Sequence, residues 1–287
     1  MTIAITGATG HLGRLAIAAL KTRVPADSVL ALVRDPAKAA DLGVPVRAFD
    51  YKAAPESLVA ALRGVDTLVL ISSNDVDDRV GQHRAVINAA KAAGVGHIIY
   101  TSILKGEASP MLLAQDHIGT ETAIRDSGLP YTLLRNGWYT ENMTGALGGA
   151  LAHGAMVGSA GEGRLSAAPR ADYAEAIAVV ASGQGHEGKA YELAGDTAFT
   201  MAEMAAEVSR LTGKTIPYTS LPTETYAGIL ASFGVPEGFA KVLADSDEKA
   251  ASGALFDDSR TLSRLIGRPT TPMPVTVAAA IAALPAA

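Results

Sequence analysis

The sequence predicts an α/β fold, a doubly wound parallel sheet with a smaller, mainly helical C-terminal lobe. Three observations carry that expectation. Short β-branched runs alternate with longer segments of helical period through the first half of the chain. A glycine-rich turn, Gly7-Ala8-Thr9-Gly10-His11-Leu12-Gly13, stands where the first run gives way to the first helical segment. Gly64, Gly94 and Gly128 follow three of the helical segments as stop signals.

Taken in order, strands are expected at 3–6, 29–33, 46–49, 67–71, 98–101 and 131–135, where apolar β-formers are bounded by turn residues. Helices are expected between them at 12–22, 55–63, 79–93 and 112–127. The right-handed crossover rule winds these units into one sheet. After Arg135 the pattern breaks, and 137–170 is rich in Gly, Ala and Ser, which suits loops over a site. Helical period returns at 171–181, a strand reads at 190–193, and Thr200 with Glu203 forms a capping box. Residues 221–287 read as short helices separated by Gly234, Pro236, Gly253 and Pro269. The expected division is a dinucleotide-binding Rossmann domain over 1–135 with a return at 171–194. Residues 136–170 and 195–287 are assigned to the substrate side.

Composition removes several function classes. The 287 residues carry Lys+Arg 24 against Asp+Glu 29, a net charge of −5, which disfavours a nucleic-acid or anionic-membrane surface. Cysteine is absent, so disulfides, thiolate nucleophiles, iron-sulfur clusters and cysteine zinc sites are excluded. The first Lys or Arg is Arg14, and glycines interrupt the opening segment, so it reads as mature structure and not as a signal peptide. The late apolar stretch 275–284 is too short to span a bilayer. A cytoplasmic protein is expected.

The glycine turn is the strongest local motif. After a first strand, such glycines let the backbone approach a pyrophosphate whose charge is stabilised by amides at the helix N-terminus. Gly7, Ala8, Thr9, Gly10, His11 and Leu12 are therefore expected to bind a dinucleotide. The second strand ends Val33-Arg34-Asp35-Pro36. Arg34 reads either as a partner for a 2′-phosphate, which favours NADPH, or as a solvated loop residue; Asp35 leaves NADH as the weaker option. Asp50 and Tyr51 close the third strand, where related folds meet adenine. Ser72 and Ser73, with Asn74, and then Thr101 and Ser102, end the next two strands and read as ribose or phosphate contacts or as ordinary turn residues.

No tyrosine has Lys four residues on; Tyr100 is followed by Leu104, with Lys105 one step late. Alcohol dehydrogenation through a Tyr-Lys pair is thereby disfavoured. His117 and Glu121 share a helical face at four-residue spacing, so the carboxylate can orient the imidazole, or the two are an exposed pair. No HExxH metal motif and no Gly-x-Ser-x-Gly elbow occurs, and no metal is expected. The sixth strand runs into Asn136-Gly137-Trp138-Tyr139-Thr140-Glu141-Asn142, which brings amides and aromatics to the sheet edge. Aromatics can stack on a planar ring and amides can hold carbonyl oxygens, although Trp138 also reads as a buried structural residue.

Together Thr6–Gly10, Val33–Pro36, Leu70–Ser73, Tyr100–Ser102, Leu133–Asn142, Arg170–Tyr173, Gly185–Lys189 and Leu255–Ser259 resemble bacterial type 2 NAD(P)H:quinone oxidoreductases, which are NmrA-like atypical short-chain dehydrogenases. The resemblance runs nearly end to end, and triphenylmethane dye reductase is similar at greater distance. It implies direct hydride transfer from NADPH to a quinone without flavin. It also implies that Gly7 to Leu12, Arg34, Ser72 and Ser73 contact the cofactor. Gly137 to Asn142 would then form the nicotinamide and quinone pocket with Arg170 beside it. His11 stands where some relatives carry Gln. Tyr139, Asn142 and His117 are the candidates for positioning the quinone and relaying a proton. Two other readings stay open, a nonenzymatic dinucleotide-sensing regulator and a reductase of dyes or other conjugated molecules.

Overall fold

The computed structural model describes residues 1–75 and 77–284. In chain order the elements are β1 (Ile3–Ile5), α1 (His11–Lys21), β2 (Val29–Val33), β3 (Val46–Ala48), α2 (Pro55–Leu62), β4 (Thr67–Leu70), α3 (Arg79–Ala93), β5 (His97–Ile103), α4 (Ala114–Ser127) and β6 (Tyr131–Asn136). Then come α5 (Thr140–Thr144), α6 (Leu147–His153), β7 (Met156–Gly158), α7 (Arg170–Ser182), β8 (Lys189–Leu193), α8 (Met201–Thr212) and β9 (Tyr218–Ser220). The chain continues through α9 (Thr223–Ser232), α10 (Glu237–Ala251), α11 (Thr261–Ile266) and α12 (Met273–Ala282).

Seven strands form one sheet in the order β3-β2-β1-β4-β5-β6-β8, and the pairings from β3 through β6 are parallel. The doubly wound α/β expectation is met. The order reverses between β1 and β4, so the carboxyl ends of these two strands border the crevice where open α/β sheets take their ligands. Both sheet faces are covered, which explains why the strands read as continuous apolar runs. On one face Leu30, Leu32, Leu68, Leu70, Ile98 and Tyr100 pack with Leu58, Leu62, Val86 and Ile87 of α2 and α3. The alternate residues Ile3, Ile5, Val69 and Ile99 are wholly buried on the other face, where α1 lies against α7. Gly94 ends α3 in the left-handed conformation, φ 77°, and returns its N–H to the carbonyls of Ala90 and Lys91.

The chain divides into two compact units. One comprises Met1–Gly106, Gln115–Asn136 and Arg170–Tyr191, and the other Glu107–Ala114, Gly137–Pro169 and Glu192–Ala287, of which 285–287 lie outside the described residues. In the second unit the segment 137–170 differs from the loop expectation, because it contains α5, α6 and β7. Burial of Met143, Leu147 and Ala150 holds these short elements despite Gly145, Gly148 and Gly149. β7 pairs in parallel with β9, Met156 opposite Tyr218, in a two-stranded sheet of its own. α10 runs 15 residues, longer than the short helices expected there. The capping box at α8 forms as expected: Glu203 N–H donates to Thr200 Oγ1 at 3.1 Å and Thr200 N–H to Glu203 Oε2 at 2.8 Å.

Candidate active site

β1 delivers the chain into the glycine turn at the order reversal. Gly7 has φ +60°, a conformation that L side chains rarely adopt. At Gly13 a Cβ would stand 2.3 Å from the Gly7 carbonyl oxygen and 2.8 Å from Ala8 Cα, so only glycine lets α1 pack this closely on the turn. Gly10 is the N-cap of α1; no side chain caps that end and no acidic residue occupies the first turn. The helix start is thus electropositive and open to an anion. Ala8 and Leu12 are buried, Thr9 is half-buried, and the His11 side chain is exposed.

Beside the turn lies an open groove of about 850 Å³ lined by Thr9, Arg14, Arg34, Asp35 and Lys38. The exposed side chains of Arg34 and Lys38 have no hydrogen-bond or ion-pair partner among the described residues. Asp35 lines the same groove, its carboxylate accepting the Ala37 N–H at 3.1 Å and capping the 3-10 turn Pro36–Ala39. Asp50 has a comparable local duty, since its carboxylate accepts the Lys52 N–H at 3.0 Å. The groove therefore presents unpaired positive charge, the chemistry expected of a phosphate site. The uncapped helix start and the close packing of α1 on the turn that Gly13 permits fit a dinucleotide.

The loop after β4 is fixed by groups from α3. Ser73 donates its N–H to His83 Nε2 at 2.9 Å, its carbonyl accepts Arg79 Nε at 2.7 Å, and its hydroxyl donates to Gln82 Oε1 at 3.0 Å. That hydroxyl also accepts the Asp75 N–H at 3.1 Å. These contacts make Ser73 the centre of the loop network. Ser72, half-buried, donates its N–H to Thr101 Oγ1 at 2.9 Å. Asp75 in turn holds Gln82 Nε2 and Lys52 Nζ, both at 2.7 Å. Tyr51 reaches from the end of β3 to Thr6 Oγ1 and the Ile71 carbonyl, both at 2.7 Å, which ties the turns after β1, β3 and β4 together.

His117 and Glu121 do share a face of α4, but they do not pair. Glu121 is wholly buried and takes Arg135 in a fork, Nε at 2.9 Å and Nη2 at 2.7 Å, together with Arg125 at 2.9 Å and the Ser102 hydroxyl at 2.6 Å. Burial pushes its pKa up, but the bonds from Arg135 and Ser102 and the two guanidinium charges outweigh that and hold it below the ordinary value. His117 is buried at 8% exposure, with Nδ1 2.9 Å from the Tyr100 hydroxyl. Burial, reinforced by the Arg79 charge, drives both His117 and His83 down to about 3. At neutral pH both imidazoles are uncharged; since His83 Nε2 accepts the Ser73 N–H, its proton sits on Nδ1 toward Thr120 Oγ1 at 2.9 Å. The described partner of the His117 ring is thus the Tyr100 hydroxyl.

These histidines make stability depend on pH. Their unfolded value is near 6.5 and their folded value about 3, so the unfolded chain binds more protons between those limits. Stability is full above pH 6.5 and falls as pH drops toward 3, by about 1.4 kcal/mol per pH unit for each histidine. Urea midpoints at pH 7 and pH 5 should separate in the native protein, and His83→Gln should shrink the gap. An unchanged gap would contradict the neutral assignment.

The segment after β6 enters the second unit. Gly137 donates its N–H to the Leu193 carbonyl at 2.7 Å. Tyr139 bridges to Ala168 and is the N-cap residue of α5; Thr140 N–H reaches the Ala168 carbonyl at 3.0 Å. Trp138, Tyr139 and Glu141 are half-buried and Asn142 is exposed. Thr140 is wholly buried at the start of α5. Asn136 is buried at the end of β6, its carbonyl taking the Leu104 N–H at 2.9 Å, and Arg170 opens α7 in the first unit. The first unit thus gathers Gly7 to Leu12, Arg34, Asp50, Ser72 and Ser73 at one sheet edge, and Trp138 to Asn142 belong to the second.

Sequence reasoning passed over Arg14, Lys38, Arg79, Gln82 and His83. Arg14 was legible as the cation four residues after Gly10; the α3 residues act through contacts that no local spacing announces. Among the described residues no group of three or more His, Cys, Asp or Glu is placed to hold a metal ion, and no helix is long and apolar enough to cross a membrane.

Comparison with known proteins gives the same frame. The model of the NmrA-like family matches residues 1–270. Quinone oxidoreductase 2 of Escherichia coli K12 is 54% identical over 272 residues, covering 94% of this chain and 95% of that protein. The crystal structure of NADPH-dependent quinone oxidoreductase QOR2 from Escherichia coli complexed with NADPH superposes with a TM-score of 0.94 at 52% identity, covering 98% of this chain and all of that one. Triphenylmethane reductase of Citrobacter sp. complexed with NADP(H) gives a TM-score of 0.91 at 39% identity, with 97% of this chain and 100% of that one covered.

Proposed function

This chain belongs to the NmrA-like family and is a close homologue of the NADPH-dependent quinone oxidoreductase QOR2, and on that premise we propose that it reduces quinones with NADPH directly, without flavin or metal. The observation that carries the reading is the groove in which Arg34 and Lys38 stand unpaired beside an uncapped, glycine-lined helix start. A 2′-phosphate there takes charge-assisted hydrogen bonds from the guanidinium, and NADH, lacking that phosphate, binds more weakly. The backbone amides of His11 and Leu12, at the start of α1, face the pyrophosphate.

The dinucleotide, when bound, supplies a hydride. The chain's own task is then to orient the acceptor and exclude competing water, which accounts for much of the rate when two reactants are held in contact. Trp138, Tyr139 and Asn142 carry that role, with the Tyr139 hydroxyl donating to the quinone oxygen that gains charge. A quinone that accepts hydride becomes a hydroquinone anion, whose conjugate acid has a phenol-like pKa of about 10. It takes its remaining proton from water, so a strong general acid is unnecessary. This agrees with the missing Tyr-Lys pair and with His117 held neutral.

Tyr139→Phe and Asn142→Ala are expected to lower quinone turnover by about tenfold while NADPH affinity changes by less than about twofold. NADPH oxidation against a simple benzoquinone, with fluorescence titration of NADPH alongside, checks both quantities. Normal turnover in both variants would remove the acceptor assignment. A second acceptor class is favoured by the 39% identity to triphenylmethane reductase: a triarylmethyl cation takes hydride at its central carbon and needs no proton at all.

A further inference from the structure

We propose that Arg14 is a specificity-determining residue for the 2′-phosphate, one that builds the phosphate groove as well as charging it. The inference deepens the NADPH reading above and rests on it.

Arg14 lies in the first turns of α1, and its side chain runs back over the glycine turn, the direction in which helical side chains lean. Three segments meet on its guanidinium. Nε donates to the Thr9 carbonyl at 3.3 Å, Nη2 to the Lys38 carbonyl at 2.8 Å, and Nη1 pairs with Asp41 at 2.7 Å. The first of these is part of the glycine turn, and the other two belong to the segment after β2 that carries Arg34, Asp35 and Lys38. Arg14 is therefore the bond between the two walls of the groove that it lines.

Geometry and charge then act together. A guanidinium has five N–H donors, and three are engaged here, so two remain for an anion in the groove. Asp41, held below its usual range by Arg14, offsets part of the charge and fixes the plane of the fork. Asp35, which also lines the groove, accepts the Ala37 N–H and makes no hydrogen bond to the Arg14 guanidinium. Lysine could keep the charge at this position but could not hold both carbonyls and the carboxylate in one plane.

The test uses adenosine 2′,5′-bisphosphate and 5′-AMP, which differ only in the phosphate in question, titrated calorimetrically into the whole protein. Arg14→Met should raise Kd for the bisphosphate about tenfold and move Kd for 5′-AMP by less than about twofold. Arg14→Lys should fall between native protein and Arg14→Met. Thermal melts of both variants report folding, and the ratio of the two dissociation constants is a quantity that a general loss of stability would leave unchanged. Equal weakening of both ligands, or no weakening, would overturn the proposal. If the native protein itself does not prefer the bisphosphate, the NADPH reading fails and takes this inference with it. Preference in the native protein that Arg14→Met retains sinks the inference alone.

Discussion

Arg34→Ala is expected to lower kcat/KM for NADPH by about tenfold to a hundredfold and to change kcat/KM for NADH by less than about threefold. The reasoning is local. Arg34 follows the last residue of β2, exposed, with no hydrogen-bond or ion-pair partner among the described residues, and lines the groove beside the glycine turn. An unpaired guanidinium loses no native contact when truncated, so stability should be nearly untouched. A charge-assisted bond to phosphate contributes roughly 1.5–3 kcal/mol, which sets the size of the loss. Initial rates with both donors check it. Equal losses with NADPH and NADH would show that Arg34 does not read the phosphate.

A second large effect belongs to Glu121. Its carboxylate is wholly buried and bonded to Arg135, Arg125 and Ser102. Glu121→Ala leaves the Arg135 guanidinium, only 15% exposed, without that partner and is expected to cost about 3–5 kcal/mol, measured as a shift in the urea unfolding midpoint. Glu121→Gln keeps the shape and one acceptor and should cost less. The position tolerates little rearrangement: Gly106, φ +47°, sits so close to Arg135 that a Cβ there would stand 2.3 Å from Cζ. A midpoint unchanged in Glu121→Ala would mean that the buried charge finds another partner.

The centre of the sheet was legible because β1, β2 and β4 are buried on both faces and therefore read as apolar runs, and α3 was bounded correctly by Gly94. The elements that escaped were short. β7 and β9 have three residues each and exist through each other, across a sequence separation no window spans. The cofactor edge divides in the same way. Gly7 and Gly13 declare themselves because only glycine meets their backbone demands. The partners of Ser73 were not legible, since a serine at a strand end looks free until Gln82 and His83 are brought to it from α3. The partners of His117 and Glu121 escaped for a related reason: four-residue spacing fixes a shared face, but Tyr100 and Arg135 decide what each side chain bonds.

Direct reduction as proposed means that hydride passes from NADPH to quinone within one complex. Initial rates of quinone reduction, measured over a grid of NADPH and benzoquinone concentrations with protein whose spectrum shows no flavin, test it most directly. Direct transfer requires both reactants bound together, so double-reciprocal plots should intersect. Parallel lines, turnover that appears only when flavin is added, or no turnover would contradict it.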